Sequence, residues 1–278
     1  MTQSEIKTAG EAERMLQTLA LPEPTSGRPL RFEDEGVSSY SSDGQARTLT
    51  VIKNRALLVN DPKLTAEQQS DVDLSVLLAQ LNSDKMYSQE NQMPEWYKNY
   101  KKVLGNPCYW KIHGLEFQEY KSSEATFSLN SVALEVLEQI IRNLPIGANI
   151  AAIKSSVEGA INKLKKLAEK GDPAAQLIGR GYDGDQAAKL AIGYAYPGQS
   201  GPRIAMSAFY FKADKSVTNI LGVKFRSQDT RVWYSSAEME QSTALFTEKQ
   251  PKSGKPMREL VRAKLGRAAE DELNELEI

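Results

Sequence analysis

Cysteine and histidine are nearly absent from this chain. The single cysteine, Cys108, excludes an internal disulfide and fits a reducing compartment. The single histidine, His113, removes any His-based metal cluster, and no cysteine pair stands in for it. Cys108 and His113 lie five apart in a β-like segment, so a regular strand points them to opposite faces, which disfavours a Cys–His nucleophile pair. Long apolar runs are also missing. The longest uncharged stretch, Asn143 to Ile153, contains Pro145 and Gly147 and falls well short of the roughly 20 residues a membrane-spanning helix needs. The polar, acidic start MTQSEIKTAGEAERMLQTLALPEP has no basic region leading into an apolar core, so no Sec signal peptide is expected. The expectation is a soluble protein made in the cytoplasm, leaving the cell, if at all, by lysis or a signal-independent route.

An excess of either charge is lacking too. With 35 basic and 36 acidic side chains the formal charge is −1, which gives no electrostatic reason for a nucleic-acid partner. So little net charge does little to oppose self-association, and homo-oligomers or a protein partner remain compatible with it. At 40% apolar and 26% charged the composition is that of a globular protein, long enough for a sizeable core.

What is present is an order of segments. Residues 1–45 read as a weakly ordered arm in which Glu11 to Leu19 can form a helix. Leu49 to Val59 carries the first β signal. Thr65, with Gln68 three residues on, is a capping box opening a helix through Val72, Val76, Leu77 and Leu81. A second helix from Pro94 gathers Trp96, Tyr97 and Tyr100 and stops at Gly105. A β texture follows from Pro107 to Leu129.

Two amphipathic helices come next. One, Asn130 to Leu144, aligns Val136, Ile140, Ile141 and Leu144. The other, Asn149 to Lys170, aligns Ile150, Ile153, Val157, Ile161 and Leu164. The pattern then switches to period two: Leu190 to Tyr196, Arg203 to Lys212, Ser216 to Arg226 and Thr230 to Ser236. The short connection Asp214-Lys215 predicts that the second and third of these pair antiparallel. From Met257 a charged helix is predicted through Leu260, Val261, Leu265, Leu273 and Leu276. The resulting division is an arm (1–45), an α/β/α domain (46–242) and a charged helical extension (243–278).

Chemistry-bearing constellations are scarce. The loop Gly179 to Asp185 lacks EF-hand spacing and precedes a strand, so it reads as a turn rather than an ion or phosphate site. The aromatics Trp96, Tyr97, Tyr100, Tyr109 and Trp110 fit a buried core or, alternatively, a ligand platform. No residue pattern calls for a cofactor, and the chain is read as a non-enzyme.

The stretches ATFSLNSVALEVLE (125–138), IAMSAFYFKAD (204–214) and VTNILGVKF (217–225) resemble segments of the Cyt-type cytolysins, toxins of bacterial crystals with fungal relatives. The likeness spans about Leu49 to Gln241. It implies an α+β fold, a central antiparallel sheet flanked by two helical hairpins. It also implies a pore-forming protein that meets a lipid membrane and oligomerises there. On that resemblance the membrane-contact candidates are Val136, Ile140, Ile141, Leu144, Ile150, Ile153, Val157, Ile161 and Leu164. The sheet-insertion candidates are Ile204, Met206, Ala208, Tyr210, Val217, Leu221, Val223 and Phe225. The flanks lie outside the family pattern and read as a mask or a docking element. A non-lytic binding or self-assembly module of the same fold is the alternative.

Overall fold

The computed structural model describes residues 8–21, 48–52, 56–87, 92–114, 116–122, 124–142, 150–169, 187–213, 224–266 and 273–277. In chain order these form α1 (Ala9–Thr18), β1 (Thr48–Ile52), β2 (Ala56–Asn60), α2 (Ala66–Met86), α3 (Met93–Gly105), β3 (Trp110–Gly114), β4 (Gln118–Tyr120) and β5 (Thr126–Ser128). They continue as α4 (Leu129–Arg142), α5 (Ile150–Glu169), β6 (Ala187–Pro197), β7 (Pro202–Ala213), β8 (Lys224–Arg226), β9 (Thr230–Gln241), α6 (Thr243–Thr247), α7 (Met257–Leu265) and β10 (Leu273–Glu277).

The capping box opens α2 as its sequence predicts. Thr65 Oγ1 accepts from the Gln68 amide at 3.2 Å, and Gln68 Oε1 accepts from the Thr65 amide at 3.0 Å. Every residue from Asp71 to Ser83 is buried, polar ones included. This helix is therefore enclosed on all sides and not merely along one stripe.

The large sheet runs β10-β1-β2-β6-β7-β9-β3, with β4 also pairing β9. The fold is α+β in three layers, as expected, but the sheet is mixed. β2 and β6 pair parallel, with Leu58 opposite Gly193, whereas the remaining neighbours in the order are antiparallel. Two hydrophobic cores lie on opposite faces. One gathers α1, α2, α3, α6 and α7 over Leu58, Ile204, Met206 and Met239. The other packs α4 and α5 over Leu57, Leu190, Ile192, Phe209 and Phe211. Alternation along β2 and β7 divides consecutive residues between the two cores, and both faces are covered.

Two predicted elements are corrected. The C-terminal helix does not run on to Leu276: α7 stops at Leu265, and Leu273 to Glu277 form β10, antiparallel to β1 with Leu276 opposite Leu49. The described part of the predicted third strand, β8, does not pair β7. It pairs β5 in a separate two-stranded sheet, with Phe225 opposite Phe127. Residues 22–47, with most of the predicted loop of the N-terminal arm, lie outside the described residues. Within the arm α1 is helical, and its Ala12 and Leu16 are part of the first core.

Candidate functional site

The layer formed by α4 and α5 differs in chemistry from the layer on the other face. Val132, Ala133, Val136 and Leu137 of α4 and Ile153, Val157, Ala160 and Ile161 of α5 are buried against the sheet. Spacing of three and four puts each group on one side of its helix. The outer faces are charged and bonded within the hairpin. Glu138 accepts from Lys154 at 2.6 Å and also pairs with Arg142. Hydrogen bonds from Lys154 and then Arg142 hold the Glu138 carboxyl well below its usual range, at about 2, and the same contact with Glu138 raises Lys154. On the surface Tyr120 Oη of β4 donates to Glu135 of α4 at 3.2 Å.

Polar fastenings hold the opposite layer. Thr50 Oγ1 of β1 donates to Asp73 of α2 at 3.2 Å. Gln241 of β9 donates to Ser75 Oγ at 3.4 Å and to the Cys108 carbonyl at 3.1 Å. Lys189 of β6 lies 3.5 Å from Asp84 and 4.2 Å above the Trp96 ring, while Trp96 Nε1 donates to Asp84 at 2.9 Å. Arg258 of α7 binds the fully buried Asp71. A lipid interior can replace aliphatic partners but not these.

The membrane-contact candidates fall together. Val136, Ile153, Val157 and Ile161 are buried in the second core, and the half-buried Ile150 packs against it. Leu144 lies outside the described residues, as do the side chains of Ile140, Ile141 and Leu164. The sheet candidates divide. Ile204, Met206 and Ala208, with the half-buried Tyr210, face α2 and α3, on the fastened side. Phe225 lies in the other core through β8; Val217, Leu221 and Val223 are outside the described residues. The side chains of β7 that lie under α4 are the alternate ones, Ala205, Phe209 and Phe211. Their signal was present in the sequence: β7 is apolar at almost every position, the mark of a strand covered on both faces.

The aromatic group is core. Trp96 and Tyr100 stack at 5.2 Å, and Tyr97 packs on Phe117 at 4.2 Å. A cavity of about 20 Å³ lies between Gln80, Trp96, Tyr100, Lys189 and Met206, room for a water but far below the several hundred Å³ of a small-molecule site. Burial pushes the Cys108 thiol up to about 12, a chemically quiet state. His113, by contrast, is exposed on β3. Among the described residues no group of three or more His, Cys, Asp or Glu is placed to hold a metal ion, and no helix is long and apolar enough to cross a membrane. The loop Gly179 to Asp185 lies outside the described residues.

No family model matches this chain, and no curated protein matches it. Solved structures of similar shape include a delta-endotoxin at 12% identity, covering 80% of this chain and 91% of its own, with a TM-score of 0.35. The activated Cyt2Ba monomer from Bacillus thuringiensis subsp. israelensis is 14% identical, covering 68% and 97%, with a TM-score of 0.33. The Evf virulence factor is 13% identical, covering 78% and 82%, with a TM-score of 0.34. Values this low carry no argument about activity, and the three-layer description stands on the strand order and the two cores.

Proposed function

We propose that this protein perturbs membranes: it is soluble as made, releases the α4–α5 layer at a lipid bilayer and oligomerises there into a pore. The observation that supports this reading is the asymmetry of the two layers. Six aliphatic side chains of α4 and α5 (Val132, Val136, Leu137, Ile153, Val157, Ile161) are buried, at roughly 1.5–3 kcal/mol each. Lipid offers the same apolar surroundings, so moving the hairpin from sheet to bilayer recovers most of that free energy. The exchange is then close to balanced, as a switch needs. The fastened layer would have to break the buried Lys189–Asp84 ion pair and the hydrogen bonds from Thr50 and Gln241 to α2, and stays in place.

Departure of the hairpin uncovers Leu190, Ile192, Ala205, Phe209 and Phe211 on β6 and β7. The neighbours β6, β7 and β9 are 11, 12 and 12 residues long, enough for the 9–11 residues of a tilted spanning strand. An inserted sheet must close on itself, which requires several copies.

Dye release from liposomes of several compositions tests the proposal. Release by folded protein supports it. No release from any composition moves the weight to a non-lytic binding module of the same fold.

A further inference from the structure

The loop Glu248–Pro256, between α6 and α7, is held unusually firmly for a surface segment. Its Gln250 is 1% exposed. The Gln250 amide donates to the Lys255 carbonyl at 2.8 Å, the Gly254 amide returns to Gln250 at 2.9 Å, and Gln250 Nε2 donates to the Glu248 carbonyl at 2.9 Å. Lys249 and Pro256 bridge across its base. From below, Tyr109 Oη donates to Gln250 Oε1 at 3.5 Å, and the buried Glu13 of α1 accepts from the Lys252 amide at 3.0 Å.

Tyr109 itself is strained. Its φ of 55° is the one positive value at a non-glycine among the described residues, a conformation that is costly for a residue with a side chain and persists only where the surroundings impose it. The Tyr109 carbonyl accepts from the Ser242 amide at 3.0 Å, so this residue braces both the end of β9 and the loop.

On this rigid platform Lys249, Lys252 and Lys255 are all exposed, and none forms an ion pair among the described residues. Glu248 is the loop's one acid. With a net charge of −1, the chain as a whole offers anions no general attraction; the attraction is local. The three cations are lysines, point charges on flexible stems, without arginine forks for bidentate recognition. The loop has no aromatic ring on which a nucleotide base would stack. This chemistry suits a dense, laterally mobile array of phosphates and carboxylates.

We propose that the loop Glu248–Pro256 is the element by which the protein first docks on an anionic phospholipid surface, an inference that rests on the membrane reading above. The test is co-sedimentation of the full chain with vesicles of phosphatidylcholine alone or with phosphatidylserine added. Parent and the triple variant Lys249→Gln, Lys252→Gln, Lys255→Gln are compared, with thermal melts confirming that both are folded. Each lysine near an anionic surface is worth about fivefold in affinity, so the triple variant should bind phosphatidylserine vesicles about 100-fold more weakly. Raised salt should weaken the parent similarly. Equal binding of parent and variant overturns the proposal, as does parent that binds both vesicles alike or neither. Dye release recorded on the same samples separates the two claims. Binding without release removes the perforating reading and leaves the loop, whereas release insensitive to the three lysines removes the loop alone.

Discussion

Arg258 and Asp71, 187 residues apart in sequence, meet in the buried layer, where the guanidinium nitrogen Nε donates to Asp71 Oδ1 at 2.6 Å. The pair clamps α7 to the N-terminal part of α2, and Arg258 reaches Glu67 as well. Removing one partner strands a buried charge. Arg258→Met should therefore cost about 3–5 kcal/mol, and pairing it with Asp71→Leu should recover much of that loss. Denaturant titration of the two variants and the parent decides it.

The same pair predicts an unusual pH response. Burial raises the Asp71 carboxyl above its ordinary 3.8, although Arg258 acts the other way. The folded protein thus holds this proton to higher pH than the unfolded chain does. The contribution is fully present below 3.8 and is lost as pH rises through the raised value. Relative to Asp71→Asn, the parent should lose stability as pH climbs from about 4, in melting curves at closely spaced pH. Mild acid should not open this clamp.

Glu138 behaves in the opposite sense. Its folded pKa is lowered from 4.5 to about 2, so its contribution is present above 4.5 and lost as pH falls through about 2. Glu138→Gln should melt lower than the parent at neutral pH, with the two curves converging towards pH 2. The difference should also shrink in high salt, since these groups are solvent-exposed.

Cys108 should resist alkylation. With its thiol at about 12 and its side chain wholly buried, the native protein should react with iodoacetamide at pH 8 only as fast as it opens. Full reactivity should appear on unfolding. Mass spectrometry of the labelled chain over time makes the comparison.

Equal core damage on the two faces should have unequal effects. Leu137→Ala in α4 and Leu77→Ala in α2 each empty a site no more than 1% exposed and should each cost about 2–5 kcal/mol. The first loosens the layer that departs and should speed dye release, whereas the second should not.

Where one element carried its own signal, the fold was legible in the sequence. Thr65 and Gln68 state the start of α2, and the spacing of Val136, Ile153, Val157 and Ile161 states the α4–α5 hairpin. What depended on distant partners was not legible. β10 reads as helix because Leu260, Val261, Leu265, Leu273 and Leu276 merge into a helical rhythm, and pairing with β1 overrides it. The parallel β2–β6 contact joins segments far apart in the chain, and only the unbroken apolar run of β2, Ala56 to Val59, hinted at burial on both faces. At the candidate site the helix residues were found together. Which residues of β7 lie under α4 is not legible, since Ile204 and Phe209 are equally apolar and alternation alone does not say which helices lie above.

If α4 must leave the sheet for a membrane to be breached, an engineered disulfide between α4 and a strand beneath it should hold the protein inactive. Cys108 is buried and unreactive, so the new pair forms without competition. Dye release from liposomes should be absent from the oxidised, folded variant and return to the parental rate on reduction. Undiminished release with the tether intact would mean that α4 stays on the sheet while the membrane is breached.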